Sequence, residues 1–307
     1  MAVHLLHYRP WRGRLHSSAW SVWPIARLSL AMMFRRRLFW GLYALALFIF
    51  LVFFFGQYLL YFAETQGGDR LSFGGVTVPK VLVLNKLRAG LKLDATGQMY
   101  LNLFSYQASM VMAVLALAGS ILVGNDVRYG SVPFYLSKPL AARHYLIGKC
   151  LAVAVFVNLM TTLPALFLYF QYQLLDTYGS TASSSLLPGV LAYGLLLSAV
   201  LSLLLVATAV AVRRTVPLIM TWTTLFFFFR RLARALVDQM SFDARWKLID
   251  LWNDLYLVGN FCLRAPHRGI RPAPQPSYLE AALVVGAVCL LCLIDLNRRI
   301  RAVEVVQ

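Results

Sequence analysis

Asp250 and Asp254 stand four residues apart, the spacing at which two carboxylates share one face of a helix and can divide acid and base work. Leu248, Leu251, Trp252, Leu255 and Val258 mark the other face of the same segment. That division reads as an amphipathic helix at a membrane surface with its carboxylates in water, rather than a catalytic pair. Cys289 and Cys292 form a C-x-x-C inside an apolar run, with no second pair and no histidine beside them. Packing cysteines explain that better than metal or redox chemistry. His4, His7, His16, His144 and His267 are too scattered along the chain for one metal site. The sequence has no G-x-x-x-x-G-K-[ST], H-E-x-x-H or G-x-S-x-G. The expectation is a chain without catalytic, metal or cofactor residues of its own.

The elements that hold these residues are apolar helices. The chain has 307 residues, 60% hydrophobic and only 13% charged, where a soluble domain carries roughly a quarter. The deficit is concentrated: Phe39 to Phe62 is 24 residues without Asp, Glu, Lys, Arg or His. About 20 apolar residues cross roughly 30 Å of hydrocarbon. Spans are expected at about 39–62, 100–123, 150–172, 188–212, 215–229 and 279–295. The fifth and sixth are short, and are counted because Arg213-Arg214 and Arg298-Arg299 flank them. The fold expected is all-α and integral to the membrane, a single domain of six transmembrane helices. A basic tail (1–17) and an interfacial helix (18–37, with Trp20, Trp23 and Arg35 to Arg37) precede the first span. Outer loops are expected at 63–98, with room for a short hairpin, and at 230–277, whose amphipathic segment lies on or re-enters the outer leaflet. The basic first 37 residues lack the apolar core of a cleavable signal peptide.

Charge orients the chain. With both termini cytoplasmic, residues 1–38, 124–150, 213–214 and 295–307 hold 16 Lys/Arg against three acids, and the outward loops 13 against nine. That asymmetry has the sign of the positive-inside rule, although Arg230 and Arg231 point the wrong way. The net charge of +17 therefore reads as a basic rim facing anionic lipid, not as a nucleic-acid surface. No N-x-[ST] sequon occurs, in keeping with a bacterial source and a cytoplasmic (inner) membrane. Asn158, Thr161 and Thr162 in the third span and Ser198 and Ser202 in the fourth serve either helix packing or a polar path, with Asn158 expected to bond a neighbouring helix. None of the first five runs contains Asp, Glu, Lys or Arg, which argues against an ion-coupled carrier.

One stretch between spans is unusual. Residues 124–149 read GNDVRYGSVPFYLSKPLAARHYLIGK. Asp126 and Arg128 follow the second span, Tyr129, Phe134 and Tyr135 offer aromatic surface, Ser137-Lys138-Pro139 breaks the chain, and Ala141 to Lys149 restarts a helix. Exposed aromatics without a core of their own suit either insertion into a partner's groove or anchoring at the inner interface.

This run resembles the segment joining the second and third helices in the permease subunits of type-2 ABC exporters. The basic cluster Arg35 to Arg37 followed by Leu38-Phe39, the pair Arg213-Arg214 before Val216-Pro217, and the basic tail from Arg298 are similar too. The resemblance implies an N-terminal elbow helix and a cytoplasmic coupling helix, and a permease that pairs with a second copy or a homologue. It also implies a separate ABC ATPase subunit on which Asp126, Arg128, Tyr129, Phe134, Tyr135, Ser137 and Pro139 would dock. The alternative is a structural or regulatory membrane subunit that transports nothing. Cysteines introduced as Ser131→Cys and Ser180→Cys are expected to label from opposite sides of the membrane; labelling from one side overturns this topology.

Overall fold

The run from Phe39 has no polar interruption except Gln57 and scattered hydroxyls, and in the bilayer only a helix satisfies such a backbone internally. In a computed structural model, residues 20, 22–65, 70–73, 76–82, 84–85, 93, 96–119, 142–175, 186–212, 214–265 and 274–304 are described. Helix α1 is Val22–Phe34 and α2 is Arg37–Thr65. The hairpin strands are β1 (Arg70–Phe73) and β2 (Val76–Pro79). Helices α3 (Gly97–Gly119), α4 (Ala142–Met160), α5 (Thr162–Leu175) and α6 (Leu186–Val212) follow. Then come α7 (Thr215–Thr223), α8 (Phe229–Arg234), α9 (Leu251–Cys262) and α10 (Tyr278–Glu304).

Among the described residues, five helical stretches are long and apolar enough to cross a membrane: Phe39–Thr65, Gly97–Leu117, Arg143–Leu175, Leu186–Val212 and Tyr278–Arg299. They make the chain a multi-pass helical protein. Segment 215–229 is not one of the five. It is the first part of a longer helical rod in which a π-helical turn, Thr224–Phe228, joins α7 to α8, and a second, Ala235–Gln239, follows α8. Backbone angles stay right-handed helical across each junction, so Arg230 and Arg231 belong to a helix and not to the outer loop expected from 230. Arginine is a good helix former, and its charge alone marked that loop.

Helix α1 meets α2 through a tight turn, with the Arg36 amide donating to the Met33 carbonyl at 3.1 Å and the Phe39 amide to that of Arg36 at 3.1 Å. Phe34 sits edge-on to Phe39, centroids 5.0 Å apart, and the Trp40 indole donates to the Phe34 carbonyl at 2.9 Å. Of the 18–37 segment, Val22–Phe34 is helical and turns into α2 at Arg35 and Arg36. Within 63–98, β1 and β2 pair antiparallel, Arg70 opposite Pro79 and Phe73 opposite Val76, on either side of Gly74-Gly75 in the sequence. A two-glycine connection favours this kind of hairpin.

The core is organised on α6, where Val190, Tyr193, Leu197, Leu201, Leu205 and Val206 are all buried. It packs against α3, α4, α5, α7, α9 and α10. Close approach is set by glycine. A Cβ at Gly194 would run into the Thr162 hydroxyl, and one at Gly119 would lie 2.6 Å from Leu205 Cδ1. The helix is interrupted only at Thr161, between α4 and α5, where Pro164 has no amide to donate to the Met160 carbonyl. The Thr161 amide still reaches the Val157 carbonyl at 2.9 Å and the Ala165 amide that of Thr161 at 3.2 Å, so the direction is largely kept.

Gly194→Ala is expected to destabilise the folded protein by about 1–3 kcal/mol through overpacking. Adding Thr162→Ala, which removes the obstructing atoms, should restore part of that loss. Thermal unfolding in detergent of the two singles and the double reads it; strictly additive effects would show that these helices do not meet there.

Candidate functional site

The seven residues assigned to docking, Asp126, Arg128, Tyr129, Phe134, Tyr135, Ser137 and Pro139, lie outside the described residues. What is described is how the segment ends. Its last eight residues, from Ala142, are the first turns of α4. Helix α1 crosses those turns so closely that a Cβ on Gly148 would lie 2.9 Å from Ile25 and 3.1 Å from the Val22 carbonyl. Lys149 is buried there, its ammonium 5.5 Å from the centre of the Tyr145 ring.

The polar residues of the third and fourth spans are not brought together into one site. Asn158 Nδ2 donates to the Ala154 carbonyl at 2.9 Å, and its Oδ1 accepts from the Thr162 hydroxyl at 2.7 Å. Thr161 donates to the Val157 carbonyl at 2.8 Å. Asn158 therefore serves its own helix and the start of the next, not a neighbouring helix as expected. Ser198 and Ser202 donate back to the carbonyls of Leu195 and Ala199, each at 2.9 Å. Both serines form the floor of a groove between α4, α6 and α10, apart from the Asn158–Thr162 pair.

The larger surprise is α9. An amphipathic helix with wet carboxylates was expected there, but every residue from Leu251 to Asn260 is buried. Asp254 has no exposed surface and Asp250 has 4%. Asp250 is the N-cap of α9, its Oδ1 accepting from the Trp252 amide at 3.1 Å. Its charge also lies within electrostatic reach of Arg230 on the rod. Around α9 is a polar layer that the sequence reading missed. Gln98 Nε2 on α3 donates to Asn102 at 2.9 Å and to the Tyr256 hydroxyl at 3.3 Å. Asn253 donates to Gln275 at 3.1 Å. Lys247, 4% exposed, pairs with Asp238 at 2.9 Å, and Arg245 pairs with Glu280 at the head of α10 at 3.1 Å. The signal available in the sequence was the density of Asn, Asp and Tyr on both faces of 250–260, which a surface helix does not need.

The arrangement holds a short helix in place. The two carboxylates of α9 have separate environments, one capping a helix and the other enclosed by it. Among the described residues no group of three or more His, Cys, Asp or Glu is placed to hold a metal ion. No family model matches this chain, and no curated protein matches it.

The Lys247–Asp238 pair is lopsided, since Asp238 keeps 29% of its side chain exposed. Asp238→Asn removes a carboxylate partner from a buried ammonium, whereas Lys247→Met leaves a carboxylate that water can reach. The first is expected to cost about 1–2 kcal/mol and the second under about 1 kcal/mol. Chemical or thermal unfolding in detergent compares them, and the reverse order would refute the asymmetry.

Proposed function

We propose that this chain is the membrane permease subunit of an ATP-driven exporter of the type-2 ABC kind, with ATP hydrolysis on a separate subunit. The reading is carried by residues 124–149, which combine the exporter-like run of Asp126, Arg128, Phe134 and Tyr135 with a position in the chain directly between α3 and α4. The close crossing of α1 on α4 supports it, because the entry helix then braces the helix that leaves the docking segment. On this reading the rod from Thr215 to Gln239 is the fifth of six crossings, and both chain ends lie on the ATPase side of a bacterial inner membrane.

The pathway forms between two copies, or between this chain and a homologue. Within one chain, Thr161, Thr162, Ser198 and Ser202 direct their hydroxyls to their own or adjoining helices, and so do not line an internal polar route. The rod meanwhile exposes Val216, Met220, Phe227 and Phe228. The same internal satisfaction also favours the second reading, a structural or regulatory membrane subunit that moves no cargo. Buried Asp250, Asp254 and Lys247 modify the argument against ion coupling, which assumed that charge was confined to the water-facing loops. Asp250 and Lys247 are engaged in capping and pairing, so external ATP remains the better energy source.

Affinity purification through this chain is expected to recover an ATP-hydrolysing subunit. In the Phe134→Ala, Tyr135→Ala double variant the permease should insert normally and retain at least about tenfold less of that subunit, two anchor aromatics having been lost. Recovery of no ATPase with the natural chain would overturn the exporter reading; equal recovery by both would overturn the docking assignment alone.

A further inference from the structure

Helices α4, α6 and α10 enclose an open groove of about 670 Å³ whose lining is divided along its length. Arg143 and Asn297 stand at one end, at the start of α4 and near the end of α10. The remaining wall is mainly aliphatic, including Ile147, Leu151, Leu195 and Leu293. Ser198 and Ser202 are the polar exceptions, but their hydroxyls are turned back on the α6 backbone. The interior therefore presents hydrocarbon-like surface and the Arg143 end presents a cation and an amide.

We infer that this groove holds one phospholipid with an anionic headgroup, its phosphate at Arg143 and Asn297 and one acyl chain lying along α6. Three observations select that occupant. The charge is at one end only, complementary to a phosphate and matching the head-and-tail asymmetry of a lipid. From Arg143 to Ala154 the groove follows about 16 Å of helix, close to one leaflet, half of roughly 30 Å of hydrocarbon. Ile147, Leu195 and Leu293 are also exposed at the rim, so the mouth opens where lipid tails are. A small polar solute would find no free hydroxyl along the wall, and a helix of a second copy would bury Arg143 against apolar surface. A lipid held there would wedge α4 against α10 and tune how freely α4 moves.

Native mass spectrometry of the purified natural chain with added phosphatidylglycerol or phosphatidylcholine tests this. One phosphatidylglycerol per chain should be retained about fivefold better than phosphatidylcholine, the worth of one surface cation. Arg143→Ala should abolish the preference and Arg143→Lys should keep it; Arg143 is exposed, so neither threatens folding. Ala199→Trp, which fills the groove from α6, should release both lipids. Preference surviving Arg143→Ala, or retention unchanged by a folded Ala199→Trp, overturns the site. A disulfide between copies carrying Ile147→Cys and Leu293→Cys would overturn it in favour of a protein occupant.

Discussion

A helix of twelve residues is too short to cross a bilayer, so α9 can be buried only if both of its ends are satisfied by protein. At its start, Asp250 caps the first turn. At its finish, Arg264 takes a positive φ of 49° and the Ala265 amide returns to the Asn260 carbonyl at 3.0 Å. That closure is costly for a residue with a side chain, by about 1–2 kcal/mol, and it stops the helix abruptly. The last carbonyls of α9 then abut the first turns of two long helices. A Cβ on Gly189 would lie 2.5 Å from the Cys262 carbonyl oxygen, and one on Gly97 would run into that of Leu263. The negative end of α9 thus faces the positive ends of α3 and α6, an arrangement that lowers the cost of burying all three.

Much else follows from that junction. With α9 fixed between α3, α6 and α10, Tyr256 reaches Gln98, and Gly259 lets Tyr193 and Leu101 close over the helix. Tyr193 in turn stacks edge-on against Phe104 at 4.9 Å, joining α6 to α3. The turn before α9 brings Lys247 to Asp238 and Arg245 to Glu280, tying the rod to the head of α10. Charged groups are expensive at this depth of burial; Lys247 meets the opposite charge of Asp238, and Asp250 is received by the helix end it caps.

The long helices were legible because their signal is length: a run such as Phe39 to Phe62 admits one solution in hydrocarbon. Ends were less legible. Helix α4 starts eight residues before the span expected at 150, since Arg143, His144 and Lys149 interrupt the apolar run without interrupting the helix. The same fault hid the rod beyond Phe229, where arginines read as loop. The burial of α9 was illegible for a different reason. A period of 3.6 with aspartates opposite leucines is the pattern of a surface helix, and whether the polar side meets water or Gln98, Gln275 and their neighbours depends on tertiary partners, Gln98 more than a hundred residues away. Gly194 and Gly97 carried no local signal either, since what they permit is visible only when the opposing helix is present.

The geometry also bears on how a push from the cytoplasmic side would travel on the proposed reading. On that reading the proposed docking segment leads into α4 at Ala142, and α1 is interlocked with the first turns of α4 at Gly148. Farther along, α4 gives way to α5 at Thr161, and there Thr162 meets Gly194 of α6. The contact of Thr162 with α6 at Gly194 leaves little slack to absorb a shift of that stretch. Helix α6 is therefore the natural recipient of that motion, and it also carries the first turn that supports α9.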